Sequence, residues 1–518
     1  MNILFSTCLK SKLDEYYKLP KDTYIYVPNL TFNGGIDLIR EALERDDIKV
    51  YKGDARRKTE KSKWLQHLTV GAMTPTVFQI RLSNGVKILD YAKFDPSPDV
   101  KEEDALELAR LLVEKYEAPI TPTAIIRQQV PYLNIVQNRN KYGTIVKQPD
   151  GVVNAYTHNA LFGGGVYNMR RNGAYKKVTQ EVHVDFHQMY AYILKNYPFP
   201  DVRHPYHVVI GYVPHPFAIY HLCGGHIKLK KDGFPLLALE RDKDNEREEV
   251  FSDYAPIPWQ YLTDPDLKTI LNNFDVDPEN PLEIDETFYY DGTVSGQMMF
   301  GDFIDTVYAN RQEATNPAVK RFYKMLNEYL PGSFERKVED GRFWEELSGP
   351  VGVAQRNNYN SMVGAFITAY GRQLLDGLLH DCPYDKVIGY DTDCVFLRGT
   401  VADVPERVMK RFGDLPGQLH FDGIYTEVRH LSAKQYYGLE DGKPFGKFSA
   451  VPHGDEIAAQ LIGNNDNLIM TPVTQSLYVW NVDEQCYDLT EIPARISLDN
   501  YNRESRPIPM IRGEYLYE

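Results

Sequence analysis

KVIGYDTDCVFLRG, residues 386–399, decides the reading of this chain. Val387 and Ile388 lead into an acidic turn, Tyr390-Asp391-Thr392-Asp393, and Val395, Phe396 and Leu397 lead out of it, so the stretch is expected to run strand, turn, strand. Two carboxylates one residue apart at a hairpin tip repel one another unless a cation sits between them. A turn also carries Asp for plain backbone hydrogen bonding, so the pair gains meaning only from a second acid in the same setting. VTQEVHVDFHQMYAYILKNY, from residue 178, supplies it: Val182 and Val184 alternate as in a strand, Asp185 falls at the strand's end, and the pattern turns helical beyond it. Three carboxylates on adjacent strand ends can hold two hard cations roughly 3.5–4 Å apart. One such ion lowers the pKa of an attacking hydroxyl, and the other neutralises phosphate oxygens and a leaving pyrophosphate.

Outward from this centre the chain alternates strand-like and helical stretches, with no internal repeat and no low-complexity tract. In the first 120 residues TYIYVPNL, TVFQIRL and VKILDYAKF read as strands, and GGIDLIREALERDD and EEDALELARLLVEKY as helices, a small α/β unit. KYEAPITPTA at 115–124, with two prolines, reads as a linker. A Pro- and Gly-punctuated segment with further strands (HIKLKK, FPLLALER) follows Asp185. FGDFIDTVYANRQEATNPAVKRFYKMLNEY reads as two helices broken near Asn316-Pro317, where proline suits a first helical turn. GAFITAYGRQLLDGLLH at 364–380 reads as a long amphipathic helix before the acidic hairpin.

Composition bounds the class. A 518-residue chain can build several packed domains, and 43% hydrophobic with 25% charged residues is ordinary for a globular protein. No stretch approaches the roughly 20 apolar residues of a membrane helix, and the first residues carry no signal-peptide pattern, so a cytosolic protein without membrane association is expected. Cys8, Cys223, Cys382, Cys394 and Cys486 lie far apart, which argues against a disulfide framework and against a structural zinc site. The net charge of −14 counts against nucleic-acid binding taken alone. A channel can still be locally basic, and KGDARRKTEKSK at 52–63 and HIKLKK at 226–231 are basic runs that serve either as solvated faces or as phosphate contacts.

Taken together, the motifs resemble those of family B DNA polymerases. VDFHQMYAYIL at 184–194 resembles motif A, in which Asp is followed five residues later by Tyr, here Asp185 and Tyr190. YDTDC at 390–394 is similar to motif C, with Cys394 in place of the usual Ser. LSAKQYYG at 431–438 resembles the later Lys-x-Tyr motif, as Lys434 and Tyr436. FGGG at 162–165 resembles the Tyr-x-Gly-Gly motif, with Phe162 for Tyr and Gly164 and Gly165 kept. The chain looks closest to the small phage polymerases primed by a terminal protein, well over 155–450 and faintly over the first 120 residues. Motif B departs from the family's Lys-x-x-x-Asn-Ser-x-Tyr-Gly. KMLNEYLPG at 324–332 keeps Lys324 and Gly332 but has Glu328 and Pro331 where Asn and Tyr belong; NSMVG at 360–364 lacks the preceding Lys. The first is preferred.

The resemblance implies an α+β right-hand polymerase of palm, fingers and thumb, with a small α/β amino-terminal domain like a reduced 3′–5′ exonuclease. It places that domain at 1–120, the start of the palm with motif A at 121–197, an insertion like the first terminal-protein region at 198–297, fingers at 298–340, palm with motif C and Lys-x-Tyr at 341–436, and thumb and carboxy-terminal region at 437–518. It implies two Mg2+ ions, with Mn2+ as substitute, on Asp185, Asp391 and Asp393. Tyr190 would stack under the incoming sugar and exclude a 2′-hydroxyl. Lys320 and Lys324, four apart on one helix face, and Arg311 on the preceding helix would face the triphosphate. Lys434 and Tyr436 would meet the primer terminus, and Phe162, Gly164 and Gly165 the template. The implied partners are primer–template DNA, deoxynucleoside triphosphates and a terminal-protein primer; the implied protein is a monomer in the cytoplasm, that of the host for a phage-encoded chain.

Two departures concern accessory functions. NLTFNGG at 29–35 resembles the second exonuclease motif, but Asn33 replaces its Asp. No Asp-x-Glu precedes it, the preceding 28 residues look too short to supply the missing strand, and Asp104 is the remnant of the third motif. Asp14 and Glu15 are adjacent on a helical run and so point apart. One carboxylate cannot hold two metals, so an exonuclease-deficient scaffold is expected. The second insertion, which helps encircle DNA in the relatives, has only about 30 residues available before the 364 helix and is expected to be shortened or missing. Adjacent aspartates mark the hairpin of RNA-templated polymerases, whereas Thr392 separates them here. The alternative from another class is a catalytically inert nucleic-acid-binding replication scaffold.

Overall fold

The structure is a computed structural model that describes residues 1–9, 12–52, 62–70, 76–97, 100–136, 151–169, 171–174, 176–236, 250–334, 360–432, 434–448, 454–463, 471–481 and 486–496. The basic run at 53–61 and the segment of the second insertion, 335–359, lie outside them, as does most of FPLLALER. The described residues fall into two compact units. One gathers Met1–Gln129, Phe303–Leu330 and Val473–Ala494; the other gathers Val130–Asp302 and Pro331–Pro472.

In the first unit, six strands make one mixed sheet, in the order Asn2–Phe5, Thr23–Val27, Lys87–Asp90, Thr76–Leu82, Lys63–Val70, Ile48–Lys52. The β-branched and aromatic run TYIYV is the second strand from one edge, and Ile25, Val27, Leu65, Ile80 and Ile88 form the core of the sheet with Ile36, Ile39 and Ala42 of the helix Ile36–Leu43. The expectation that the residues before NLTFNGG are too few for the missing strand is overturned. Asn2–Phe5 pairs parallel with Thr23–Val27, from Asn2↔Thr23 to Phe5↔Tyr26. A helix of five residues, Leu13–Tyr17, suffices to bring the chain back. The strand is present and the acids are not: residues 2–9, NILFSTCL, contain none.

The helices Asp302–Glu313 and Pro317–Gly332 also belong to this unit. Their break is chemical: Asn316 Oδ1 accepts from the amides of Ala318 and Val319 at 2.9 and 3.1 Å, and Pro317 fills the first turn, where its missing N–H costs nothing. Arg321 fixes the second helix by donating twice, at 2.8 and 2.7 Å, to the fully buried carboxylate of Asp95.

The second unit is built on a seven-stranded antiparallel sheet. Its order is Lys443–Phe448, Gln435–Glu440, Leu419–Ser432, Val178–Phe186, Cys394–Arg398, Val387–Asp391, Val166–Asn168. The strand ending in Asp185 is central, paired on both edges, and buried at Val182, Val184 and Phe186. The acidic hairpin forms as read, and its helix runs Met362–Asp381. The described residues within 198–297 form smaller sheets, one of four strands (Tyr206–Ile210, Glu283–Tyr290, Ile219–Gly224, Gln260–Thr263), over a core of Tyr220, Leu222, Leu262 and Ile270. HIKLKK is in part a strand, His226–Leu229, and two of its three lysines are engaged: Lys228 pairs with Asp253 at 3.5 Å, and Lys230 caps the helix Asp264–Asn273 by donating to the Leu271 and Asn272 carbonyls at 2.9 Å, while Lys231 is exposed. No helix among the described residues is long and apolar enough to cross a membrane.

Candidate active site

Strand register brings the acids of the two motifs together. Asp185 stands opposite Cys394 on one side and His420 on the other. Asp391 pairs with Cys394 across a two-residue turn, Thr392-Asp393, and the Phe186 amide donates to the Asp393 carbonyl at 3.1 Å. Asp185 and Asp393 therefore share one end of the sheet.

Their electrostatics differ from that of Asp391. Burial pushes the Asp185 carboxyl up to about 8, and the charges of Asp393 and Asp422 add to it. Burial and the charge of Asp391 push Asp393 up to about 6. Asp391 is engaged instead: Lys434 Nζ sits 2.9 Å from its Oδ1, and the Thr392 hydroxyl donates to the same oxygen at 2.9 Å. Two half-buried carboxylates, Asp185 raised further by the charge of Asp393 and Asp393 by that of Asp391, fit hard divalent cations, which supply the missing positive charge. The ion pair Lys447–Asp422, at 3.0 Å, lies close enough to act on Asp185, and His420 Nε2 approaches Asp185 Oδ2 at 3.6 Å with its ring stacked on His187.

The loop FGGG backs the turn. The Thr392 amide donates to the Gly165 carbonyl at 2.7 Å, and Thr392 itself holds a left-handed φ of 61°. A Cβ on Gly164 would lie 2.7 Å from Thr392 Cγ2, so only glycine lets the loop and the turn meet. Arg372 pins the loop from below. Buried in the middle of the helix Met362–Asp381, it donates to Asp266 at 2.8 and 3.0 Å and also to the Phe162 and Gly163 carbonyls, with its guanidinium 5.8 Å from the Phe162 ring. Sequence reading missed Arg372. The signal was there: a lone arginine in the apolar face of GAFITAYGRQLLDG.

Tyr190 lies in the first turn of the helix Met189–Asn196, half-buried, its ring packed against the Gly371 position and its hydroxyl pushed up to about 12 by burial. Lys434 is exposed and reaches motif C through Asp391. Tyr436 is not exposed: its ring is buried against His183, Phe396, His430 and Phe445, a packing position beneath the Lys434 turn. In the other unit, Lys320 and Lys324 share the exposed face of their helix, with Glu328 3.5 Å from Lys324, and Arg311 lies in the last turn of the preceding helix. NSMVG opens the helix Met362–Asp381, where Asn360 accepts from the Met362 amide at 3.1 Å and donates to Tyr290 at 2.7 Å.

Three side chains of the amino-terminal region make structural contacts. Asn33 donates to the Pro28 carbonyl, Asp104 accepts from Asn316 at 3.1 Å, and Asp14 pairs with Arg45 at 3.0 Å. Despite the net charge, positive groups gather locally: a groove of about 530 Å³ in the second unit is lined by Arg171, Lys176, Lys177 and Arg398 against a single acid, Asp385.

No family model matches the chain, and no curated protein sequence does. Among solved structures its fold is that of a DNA polymerase. Structures of Phi29 DNA polymerase share it. The complex with primer-template DNA and incoming nucleotide substrates superposes with a TM-score of 0.68 at 16% identity, over 93% of this chain and 92% of that chain. The post-translocation binary complex with primer-template DNA gives 0.64 at 17%, over 92% and 91%. The complex with single-stranded DNA gives 0.63 at 16%, over 94% and 93%. The resemblance to the small protein-primed polymerases of family B thus holds for the fold over nearly the whole of both chains.

Proposed function

We propose that this chain is a template-directed DNA polymerase that extends a primer 3′ end with deoxynucleotides. The observation that carries the reading is the meeting of Asp185 and Asp393 at one end of the central sheet, both pushed up by burial, in a fold shared with a DNA polymerase. Asp185 and Asp393 would hold two magnesium ions, or manganese in their place, while Asp391, already neutralised by Lys434, sets the charge beside them. When bound, such ions activate the attacking hydroxyl and neutralise the phosphates.

The remaining roles belong to this chain's own side chains. Tyr190, braced on Gly371, is the gate against a 2′-hydroxyl. Lys324, Lys320 and Arg311 neutralise the triphosphate, and Lys434 links the carboxylates to the primer terminus. Tyr436 supports that turn by packing rather than by contact with DNA. Gly164 and Gly165, fixed by Thr392 and Arg372, shape the template side. In this reading residues 121–197 and 341–436 are palm, 298–340 fingers and 437–518 thumb. The domain at 1–120 keeps an exonuclease-like sheet without its acids and does not proofread.

Primer extension on a DNA template tests the proposal. Wild type should extend with magnesium, and Asp185→Asn and Asp393→Asn should fall at least a thousandfold, on the order of one removed metal ligand, while binding primer–template within a few-fold. An inert scaffold would bind DNA equally in all three and extend with none.

A further inference from the structure

Glu181, His183 and His430 form a second constellation, apart from the carboxylate site. Glu181 and His183 stand two positions apart on the central strand and so share a face. His430 comes from the far part of the strand Leu419–Ser432. Their side chains are buried, at 0%, 0% and 1% exposure. Both imidazole Nε2 atoms converge on a single oxygen, Glu181 Oε1, at 2.7 and 2.8 Å. Among the described residues this is the one group of three whose ligating atoms all lie within 4.8 Å of one another.

Hydrogen bonding alone accounts poorly for the arrangement. A carboxylate has two oxygens, and two donors would be expected to share them. Here Glu181 Oε2 is buried and bonded to nothing among the described residues, which is costly for a charged oxygen. Aromatic rings pack around the cluster: Phe396 stacks on His183 at 4.2 Å, with Tyr425 and Tyr436 edge-on at 4.7 and 5.3 Å.

We propose that Glu181, His183 and His430 bind one divalent transition-metal ion, zinc being the best match, through His183 Nε2, His430 Nε2 and both oxygens of Glu181. Two imidazoles and a carboxylate are a borderline-soft donor set that suits zinc and that magnesium avoids. Chelation by both oxygens gives the unpartnered Oε2 a role and completes four donors. The ion is structural: it fastens the strand carrying Asp185 to the strand that leads into the Lys434 turn.

The test uses the full chain, stripped with chelator, then loaded with zinc and desalted. Bound metal is counted by elemental analysis, unfolding is followed by calorimetry, and zinc ligation is read by X-ray absorption. Wild type should retain one zinc per chain, ligated by two imidazoles, and should unfold several degrees higher than the stripped protein. The double variant His420→Gln/Asp393→Asn, which disables the nearby His–Asp grouping at the carboxylate site, should retain the same ion. His430→Gln should lose both the ion and the thermal shift. If His430→Gln does not fold, the double variant decides alone: one retained zinc with two imidazoles supports the site, and its loss overturns it. Wild type that retains no zinc, or a folded His430→Gln that retains it fully, also overturns the proposal.

Discussion

At the scale of single residues, the account rests on two carboxylates that the fold keeps at a cost. The sign of that cost can be measured. Asp185 titrates near 8 in the folded chain and near its ordinary 3.8 when unfolded. The protonated carboxyl therefore stabilises the fold fully below about 3.8, and that contribution is lost as pH rises through about 8. In buffer without divalent ions, Asp185→Asn should be more stable than wild type at pH 7.5 by on the order of 1–3 kcal/mol, and the difference should vanish near pH 4; calorimetry at the two pH values checks it. Equal stability at pH 7.5 would mean that Asp185 is not buried against like charge. Tyr190→Val should raise ribonucleotide relative to deoxyribonucleotide incorporation on the order of tenfold or more, measured as the ratio of kcat/KM values. Unchanged discrimination would point to another ring, with Tyr192 the first to try. Asp185, Asp391 and Asp393 were legible in the sequence because short-range pattern sets their strand and turn. Their division of labour was not, because Lys434 meets Asp391 only through tertiary pairing.

At the scale of elements, the hairpin and the FGGG loop act as one piece. Gly164→Ala places a Cβ 2.7 Å from Thr392 Cγ2, and the turn must shift. Extension should fall on the order of a hundredfold, as expected for an ångström-scale displacement of catalytic groups, while the circular dichroism spectrum stays that of wild type. Wild-type activity in this variant would show that the contact is not needed. Arg372→Leu should be severe for a different reason: it strands the buried Asp266 carboxylate, at a cost of about 3–5 kcal/mol. On the helix Pro317–Gly332, Lys324→Ala should weaken nucleotide use about ten- to a hundredfold, since a charge-assisted contact contributes about 1.5–3 kcal/mol, whereas Glu328→Gln, which releases Lys324 from its ion pair, should not. A nucleotide defect found at Asn360 or Ser361 instead would move motif B to 360–364. The break at Asn316-Pro317 and the long helix before the hairpin were readable from capping and period. The Arg372 anchor was not, since its partners Asp266 and Phe162 are distant in the chain.

At the scale of the whole molecule, the six-stranded amino-terminal sheet shows where counting residues misleads. The chain before NLTFNGG looked too short for another strand, yet Asn2–Phe5 is there, parallel to Thr23–Val27. A short helical return needs fewer residues than a typical crossover. The proposed loss of proofreading rests on side chains: no acid lies on residues 2–9, and Asn33 bonds to the backbone. Single-stranded DNA labelled at its 5′ end should therefore stay full length with magnesium and no nucleotides; stepwise shortening that survives in Asp393→Asn would reveal a hidden nuclease. The net charge of −14 averages over a surface on which Arg171, Lys176, Lys177 and Arg398 gather locally. The most direct test of the central claim is single-nucleotide incorporation on four primer–templates that differ only in the next template base, with magnesium, by wild type and Asp393→Ala. Wild type should add only the complementary deoxynucleotide in each case, and Asp393→Ala none. Addition that ignores the template base, or that Asp393→Ala sustains at the wild-type rate, would contradict a template-directed polymerase built on these carboxylates.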